Sequence, residues 1–322
     1  MTRAKGETTM TDFPYPVQIV KAREFVRPHS RGGSRPLLLR LDDGRIAHVK
    51  FQHNPQTTRS LVNDLIGSLL GHLLNAPVPE VVLVDVPGTC RAQMPYLTHY
   101  RWLPGLQFGT IYYEEAIPLK NAKQVPALSN WHDLPLCALL ESWLFNKDVK
   151  FSHILALAQG EALRFMIIDH GFIFPGGPLW SIHSLKSYRR EFPLLYPFNA
   201  LAWQIPHRFE FHSALNQIQD LSSHDLTEVV DMIPKEWGLS SASKSAVVEF
   251  LVYRQKKLGK VAQHLESLWN RHKPAPSPTP LGDAQDSWEN SGVAPRDEEH
   301  PNHSQSRSPE SSTLAPVEDG PI

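Results

Sequence analysis

The chain has 322 residues, of which 41% are hydrophobic, and a formal net charge of -1. That length allows one two-lobed domain or two small ones around a sizeable core, and the charge balance predicts neither direct nucleic-acid binding nor an anionic membrane partner. Two distant cysteines, Cys90 and Cys137, no apolar core near the N-terminus and no run of about 18 apolar residues predict a cytoplasmic protein with reduced thiols and no membrane span.

Residues 1–13 are polar and are expected to be disordered. Val17 to Ala22 reads as a strand. A Gly-containing turn spans Arg31 to Pro36, and a second strand runs from Pro36 to Leu41. Asp42-Asp43-Gly44 is a hairpin signal. Arg45 to Gln52 then alternates, with Ile46, His48, Lys50 and Gln52 on one face and Ala47, Val49 and Phe51 on the other, as a half-buried strand does.

The period then changes to that of a helix. Leu61, Leu65, Leu69 and Leu73 recur every four residues, predicting an amphipathic helix from Thr57 to Leu74. Val81 to Val86 reads as a strand, and Tyr96 to Ile117 as an irregular connector. Most of the remainder is helical by pattern: Leu134 to Phe145, Phe211 to Leu221, Asp225 to Met232 and one long helix from Ser241 to Leu268. Ile154 to Leu157 and the stretch before Asp169 read as strands. From Lys273 the sequence is rich in Pro, Ser, Asp and Glu and poor in aliphatic residues, so 272–322 is expected to be a disordered tail. A sheet-rich part with one helix, followed by a helical part, is an α+β arrangement with two lobes.

Sixteen histidines are scattered without H-E-x-x-H spacing, which favours ordinary packing over a zinc site. Three segments carry chemistry when read together. Lys50 lies on a strand, and Asp64 on the next helix is the only acidic residue between Phe51 and Pro79. Asp148 stands in a polar turn after a helix, with Asn146 before it, Lys150 two residues after and His153 five after. Asp169 ends an apolar strand and is followed by His170-Gly171, about twenty residues further on. A strand lysine for nucleotide phosphates, a loop carboxylate for an attacking hydroxyl and a strand-end carboxylate for a metal are the parts phosphoryl transfer needs.

The stretches GGSRPLLLRLDDGRIAHVKF, LVNDLIGSLLGHLLNAPVPE, ESWLFNKDVKFSHILAL and MIIDHGFIF resemble the HipA-like kinase family in order and spacing, and the likeness covers roughly residues 16 to 268. The resemblance implies a two-lobed protein-kinase-like fold over 14–271, with an N-lobe to about residue 100 and a C-lobe beyond. It implies ATP and Mg²⁺ (or Mn²⁺) as cofactors and a protein hydroxyl as acceptor. Lys50 matches the nucleotide lysine, Asp64 the helix acid, Asp148 the catalytic base and Asp169 a metal ligand. Gly32 and Gly33 fall where a phosphate-covering loop belongs. Lys150 is expected to neutralise phosphate, and His153 or Asn146 to join Asp169 at the metal. The family's loop reads N-x-D-R-x-x-x-N, whereas this chain has Val149 at the Arg position and His153 at the second Asn position. A pseudokinase acting as a nucleotide-binding or scaffold protein is the alternative that these two departures imply.

Overall fold

The computed structural model describes residues 15–29, 33–94, 103–123, 128–160, 162–193, 195–271 and 273. The N-terminal segment, Gly32, the first part of the expected connector and the tail apart from Lys273 lie outside these residues.

Strand β1 spans Gln18–Pro28, β2 Leu37–Leu41 and β3 Ile46–Lys50. The expected hairpin joins β2 to β3, with Leu38 opposite His48 and Gly44 at a φ of 88°. β1 runs well beyond the expected Ala22. Its second half interleaves charges with apolar residues and carries two register shifts against β2, so no continuous apolar run marks it. Helix α1 (Thr58–Leu73) follows as expected. It is packed on more than one side: Asn63, Gly67 and Ser68 are buried as well as the leucine stripe. Small residues at those positions let neighbours approach the helix backbone.

Strand β4 (Val81–Asp85) pairs in parallel with β1, and a single turn of helix, α2 (Gly88–Arg91), comes after it. Strand β5 (Gln107–Ile111) is antiparallel to both β3 and β4, which closes a five-stranded barrel in the order β1-β2-β3-β5-β4. The connector expected over this stretch therefore contains a barrel strand. Gly109, which reads as a breaker, lies close against β4, since a Cβ there would lie 2.8 Å from Val84 Cγ2 and 3.0 Å from Val82 Cγ2. Leu39, Leu41, Ala47, Val49, Val82 and Val84 fill the barrel.

A second sheet is built from β6 (Ile117–Pro118), β7 (Ile154–Gln159) and β8 (Ala162–Ile167) in that order. Around it lie α3 (Leu134–Trp143), α4 (Ile182–Tyr188), α5 (Tyr196–Gln204), α6 (His212–Asp220) and α7 (Ser223–Asp231). Every residue of α3 is buried, as its nearly continuous apolar sequence requires. The long helix expected from Ser241 to Leu268 is two helices, α8 (Ser241–Gln255) and α9 (Leu258–Asn270). The break at Lys256–Lys257 allows Phe250, Leu251 and Arg254 of α8 and Leu258, Leu265 and Trp269 of α9 to meet the core along separate lines. No described helix is long and apolar enough to cross a membrane.

Candidate active site

Alternation along β3 turns Lys50 and His48 to the same side. The Lys50 side chain reaches α1 and the turn after β8, where Nζ donates to Asp64 Oδ2 at 2.8 Å and to Asp169 Oδ1 at 2.8 Å. Lys50 is 5% and Asp64 2% exposed. Burial works against the Lys50 cation, yet Asp169 and Asp64 together hold its pKa above the ordinary lysine value. Burial pushes the Asp64 carboxyl up to about 6, against the pull of Lys50. Burial also opposes the charge on Asp169, but Lys50 and then His153 hold this carboxyl below the usual range.

The turn that presents Asp169 is taken at Asp169 itself, whose φ of 70° is left-handed. Such a φ is several-fold commoner for Asp than for most non-glycine residues. Gly171, two residues further on, has a different task. A Cβ on it would lie 3.2 Å from Asp64 Oδ2 and 3.3 Å from Asp169 Oδ1, so glycine leaves space beside the ion cluster.

Lys50, Asp64 and Asp169 line a cavity of about 540 Å³, which also takes in Lys150 and His153. His153 Nε2 lies 3.6 Å from Asp169 Oδ2. Its Nδ1 is buried with no hydrogen-bond partner among the described residues. Burial lowers the His153 pKa despite Asp169, so the ring is neutral near pH 7. Asp148 is half-buried, and Lys150 Nζ lies 2.7 Å from its Oδ1. The structure thus gathers Lys50, Asp64, Asp169, His153 and Lys150 around one space, with Asp148 bonded to its rim.

Asn146 is not brought to Asp169. It is buried, its Nδ2 donates to Glu141 Oε2 at 2.7 Å, and its Oδ1 accepts from the Asp148 N–H at 3.0 Å. Its place is in the scaffold of the loop. Gly33 packs against the Gln56 side chain, where any Cβ would collide with Nε2. The neighbouring Ser34 reaches the cavity wall.

Sequence reasoning missed much of the wall. Arg27 comes from the unexpected half of β1 and His29 from just beyond its end, and Thr110 and Tyr112 from β5 and its end. Arg27 Nη2 donates to Tyr112 Oη at 3.3 Å across the cavity mouth. His48 shares its face of β3 with Lys50, because the same alternation carries both. Burial, reinforced by Lys50 and His29, takes its pKa down to about 3, leaving a neutral ring.

The cavity volume falls in the range of small-molecule sites, and Lys50 supplies a fixed cation for an anionic ligand. Among the described residues no group of three or more His, Cys, Asp or Glu side chains forms a metal cage. Asp169 with His153 is a thin donor set of the kind that holds a divalent ion only together with phosphate oxygens and water. A nucleotide accompanied by its own metal fits these residues, whereas a free metal ion does not.

A family model described as HipA-like kinase matches residues 22–271. The chain belongs to the HipA-like kinase family. Among solved structures, the proinflammatory kinase CtkA of Helicobacter pylori is similar at 12% identity and a TM-score of 0.51, over 79% of this chain and 99% of that one. The Golgi casein kinase with Mn and ADP bound is similar at 10% identity and a TM-score of 0.41, over 80% and 74%. HipA of Shewanella oneidensis MR-1, in its complex with HipB and operator DNA, is similar at 12% identity and a TM-score of 0.37, over 76% and 68%. No curated protein sequence matches. The likeness to CtkA shows that the chain has an α+β, kinase-like fold.

Proposed function

We propose that this chain is an ATP-dependent kinase that transfers the γ-phosphoryl group to a hydroxyl, Ser or Thr of a protein. The observation that carries the reading is Lys50 Nζ, held 2.8 Å from both Asp64 and Asp169 on the wall of a nucleotide-sized cavity. We read 14–271 as one kinase domain of two lobes, the barrel with α1 forming the first and the helices the second. Two buried free cysteines accord with a cytoplasmic setting.

ATP bound with Mg²⁺ or Mn²⁺ would supply the phosphoryl group, with the ion neutralising its charge. Lys50 would bind phosphate oxygen, oriented by the buried Asp64. Asp169, with His153, would hold the metal. Asp148 would orient the acceptor hydroxyl and take its proton at a carboxylate oxygen, and Lys150 would offset charge at the mouth of the cavity.

One observation favours a second reading. The position expected to carry an amide ligand carries the neutral ring of His153, and imidazole nitrogen is a poor donor for Mg²⁺. On that reading the chain binds nucleotide without transferring phosphate.

Melting curves and phosphate transfer separate the two. Nucleotide at a hundredfold excess over Kd adds about 2.7 kcal/mol to the folded state. A rise in Tm with ATP and Mg²⁺ or Mn²⁺, together with label transfer from γ-labelled ATP to a Ser/Thr protein, is expected. A rise without transfer selects the second reading, and no rise with any nucleotide overturns both.

A further inference from the structure

One buried chain of polar contacts plays no part in the proposed chemistry, yet it joins the two segments that would perform it. His170 follows Asp169 directly and is 1% exposed. Its Nε2 lies 3.1 Å from Glu141 Oε1, at ion-pair distance but without the alignment of a hydrogen bond. The other oxygen, Glu141 Oε2, accepts from Asn146 Nδ2 at 2.7 Å. Asn146 Oδ1 in turn accepts from the backbone N–H of Asp148 at 3.0 Å. Glu141, Asn146 and His170 are all sealed from water.

The other side of the His170 ring is held by α1. A Cβ on Gly67 would fall 2.5 Å from His170 Cβ, and Ser68 Oγ lies 3.5 Å from Nδ1. Gly67 is one turn beyond Asp64 on that helix. Two backbone bonds flank the chain, Ile168 N–H to His153 C=O and Phe174 N–H to Leu144 C=O, each at 2.9 Å. They tie the same segments together on either side of the His170–Glu141 contact.

A buried carboxylate and imidazole gain little over well-packed apolar groups in stability, because desolvation offsets their attraction. What such a pair does supply is geometry, since each carboxylate oxygen is committed to a different segment of chain. We propose that His170 and Glu141 are positioning residues that lock the Asp148 loop to the Asp169 turn through Asn146. The inference rests on the kinase reading for its purpose, but the lock itself is a property of the fold.

Hydrogen exchange tests the lock. His170→Phe keeps a ring and removes the donor, whereas His170→Gln keeps a nitrogen donor near the Nε2 position. Because His170→Phe strands a buried carboxylate, the double variant His170→Phe with Glu141→Gln is measured beside it. Exchange in the peptide spanning residues 146–153 is expected to speed up at least tenfold in the Phe variants and to stay within threefold of wild type in His170→Gln. The peptides of α6 and α9 are expected to hold their wild-type rates. In single turnover, transfer by the Phe variants is expected to fall at least tenfold, with the ADP dissociation constant within threefold of wild type. Wild-type exchange at 146–153 in the double variant overturns the lock, as does acceleration spread evenly over α6 and α9. Wild-type protein that transfers no phosphate overturns the kinase reading and leaves the exchange comparison to decide the lock alone.

Discussion

Asp64 and Lys50 form a 2.8 Å ion pair across the junction of α1 and β3, and both side chains are almost wholly shielded from water. The lysine serves two carboxylates at once, and the more deeply buried one is held with its pKa up at about 6. A carboxyl whose pKa is higher in the folded than in the unfolded chain favours the native state at low pH. It loses that contribution as pH rises through the folded value. Between pH 4 and 6.5, wild type should therefore lose stability relative to Asp64→Asn by on the order of 2 kcal/mol. Parallel Tm profiles for the two proteins over that range would remove the assignment.

Asp148 is tied to Lys150 and to the Asn146 side chain, and it supports little packing. Asp148→Asn is expected to keep the melting temperature within about 2 °C of wild type, since surface changes of this sort rarely exceed ±0.5 kcal/mol. The nucleotide-induced rise in Tm should persist. Transfer should fall roughly 100-fold or more, the scale of general-base catalysis. Substantial transfer by the variant would exclude Asp148 as the base.

His153→Asn exchanges a neutral ring beside Asp169 for an oxygen donor. The extra rise in Tm that Mg²⁺ adds to ADP should increase in this variant. A smaller increment would make the histidine a working ligand. Running the pair with Mn²⁺, which tolerates nitrogen better, should narrow the difference.

Much of this site was readable before any fold was known. Lys50 on an alternating strand, Asp64 as the only acid between Phe51 and Pro79, Asp148 in a polar turn and Asp169 at the end of an apolar strand are all marked by local pattern, and period and punctuation are local properties. The missing parts depend on non-local contacts. Gly109 reads as a loop residue until Val82 and Val84 press on the strand that contains it. Arg27 looks like a surface charge until β1 continues past its bulges to the cavity. Asn146 sits at metal-ligand spacing in sequence, but Glu141, one helical turn and a loop away, engages its amide nitrogen instead.

Arg254 on α8 is fully buried and forms no salt bridge among the described residues, with only the charge of Glu191 at longer range favouring its cation. It donates to the carbonyl oxygens of Trp143 at 2.7 Å and Arg189 at 3.3 Å, and to those of Ser142 and Glu191. Its guanidinium carbon lies 4.0 Å from the ring centre of Phe192. Burial lowers its pKa to about 9. Arg254→Leu would orphan two carbonyls at the end of α3, just before the Asp148 loop, and two more after α4. A loss of at least about 3 kcal/mol is expected, seen as a fall in Tm of roughly 6–12 °C for a domain of this size. A fall under 2 °C would mean that water or a neighbour replaces the guanidinium without cost.

The closing of β4 onto β1 has a consequence for recognition. A protein that captures extended peptides by strand addition must offer an unpaired edge, and in the barrel each described strand has a neighbour on both sides. The described strands β2 to β5 are therefore closed to an added chain. Among the described strands, one-sided backbone edges remain along β1 after Ala22, which pairs there with β2 alone, and in the small sheet of β6, β7 and β8, whose terminal strand β6 is two residues long and ends in proline. On the proposed kinase reading, side-chain chemistry around the cavity, where Arg27, Tyr112 and Lys150 stand, would select the acceptor more than main-chain pairing would.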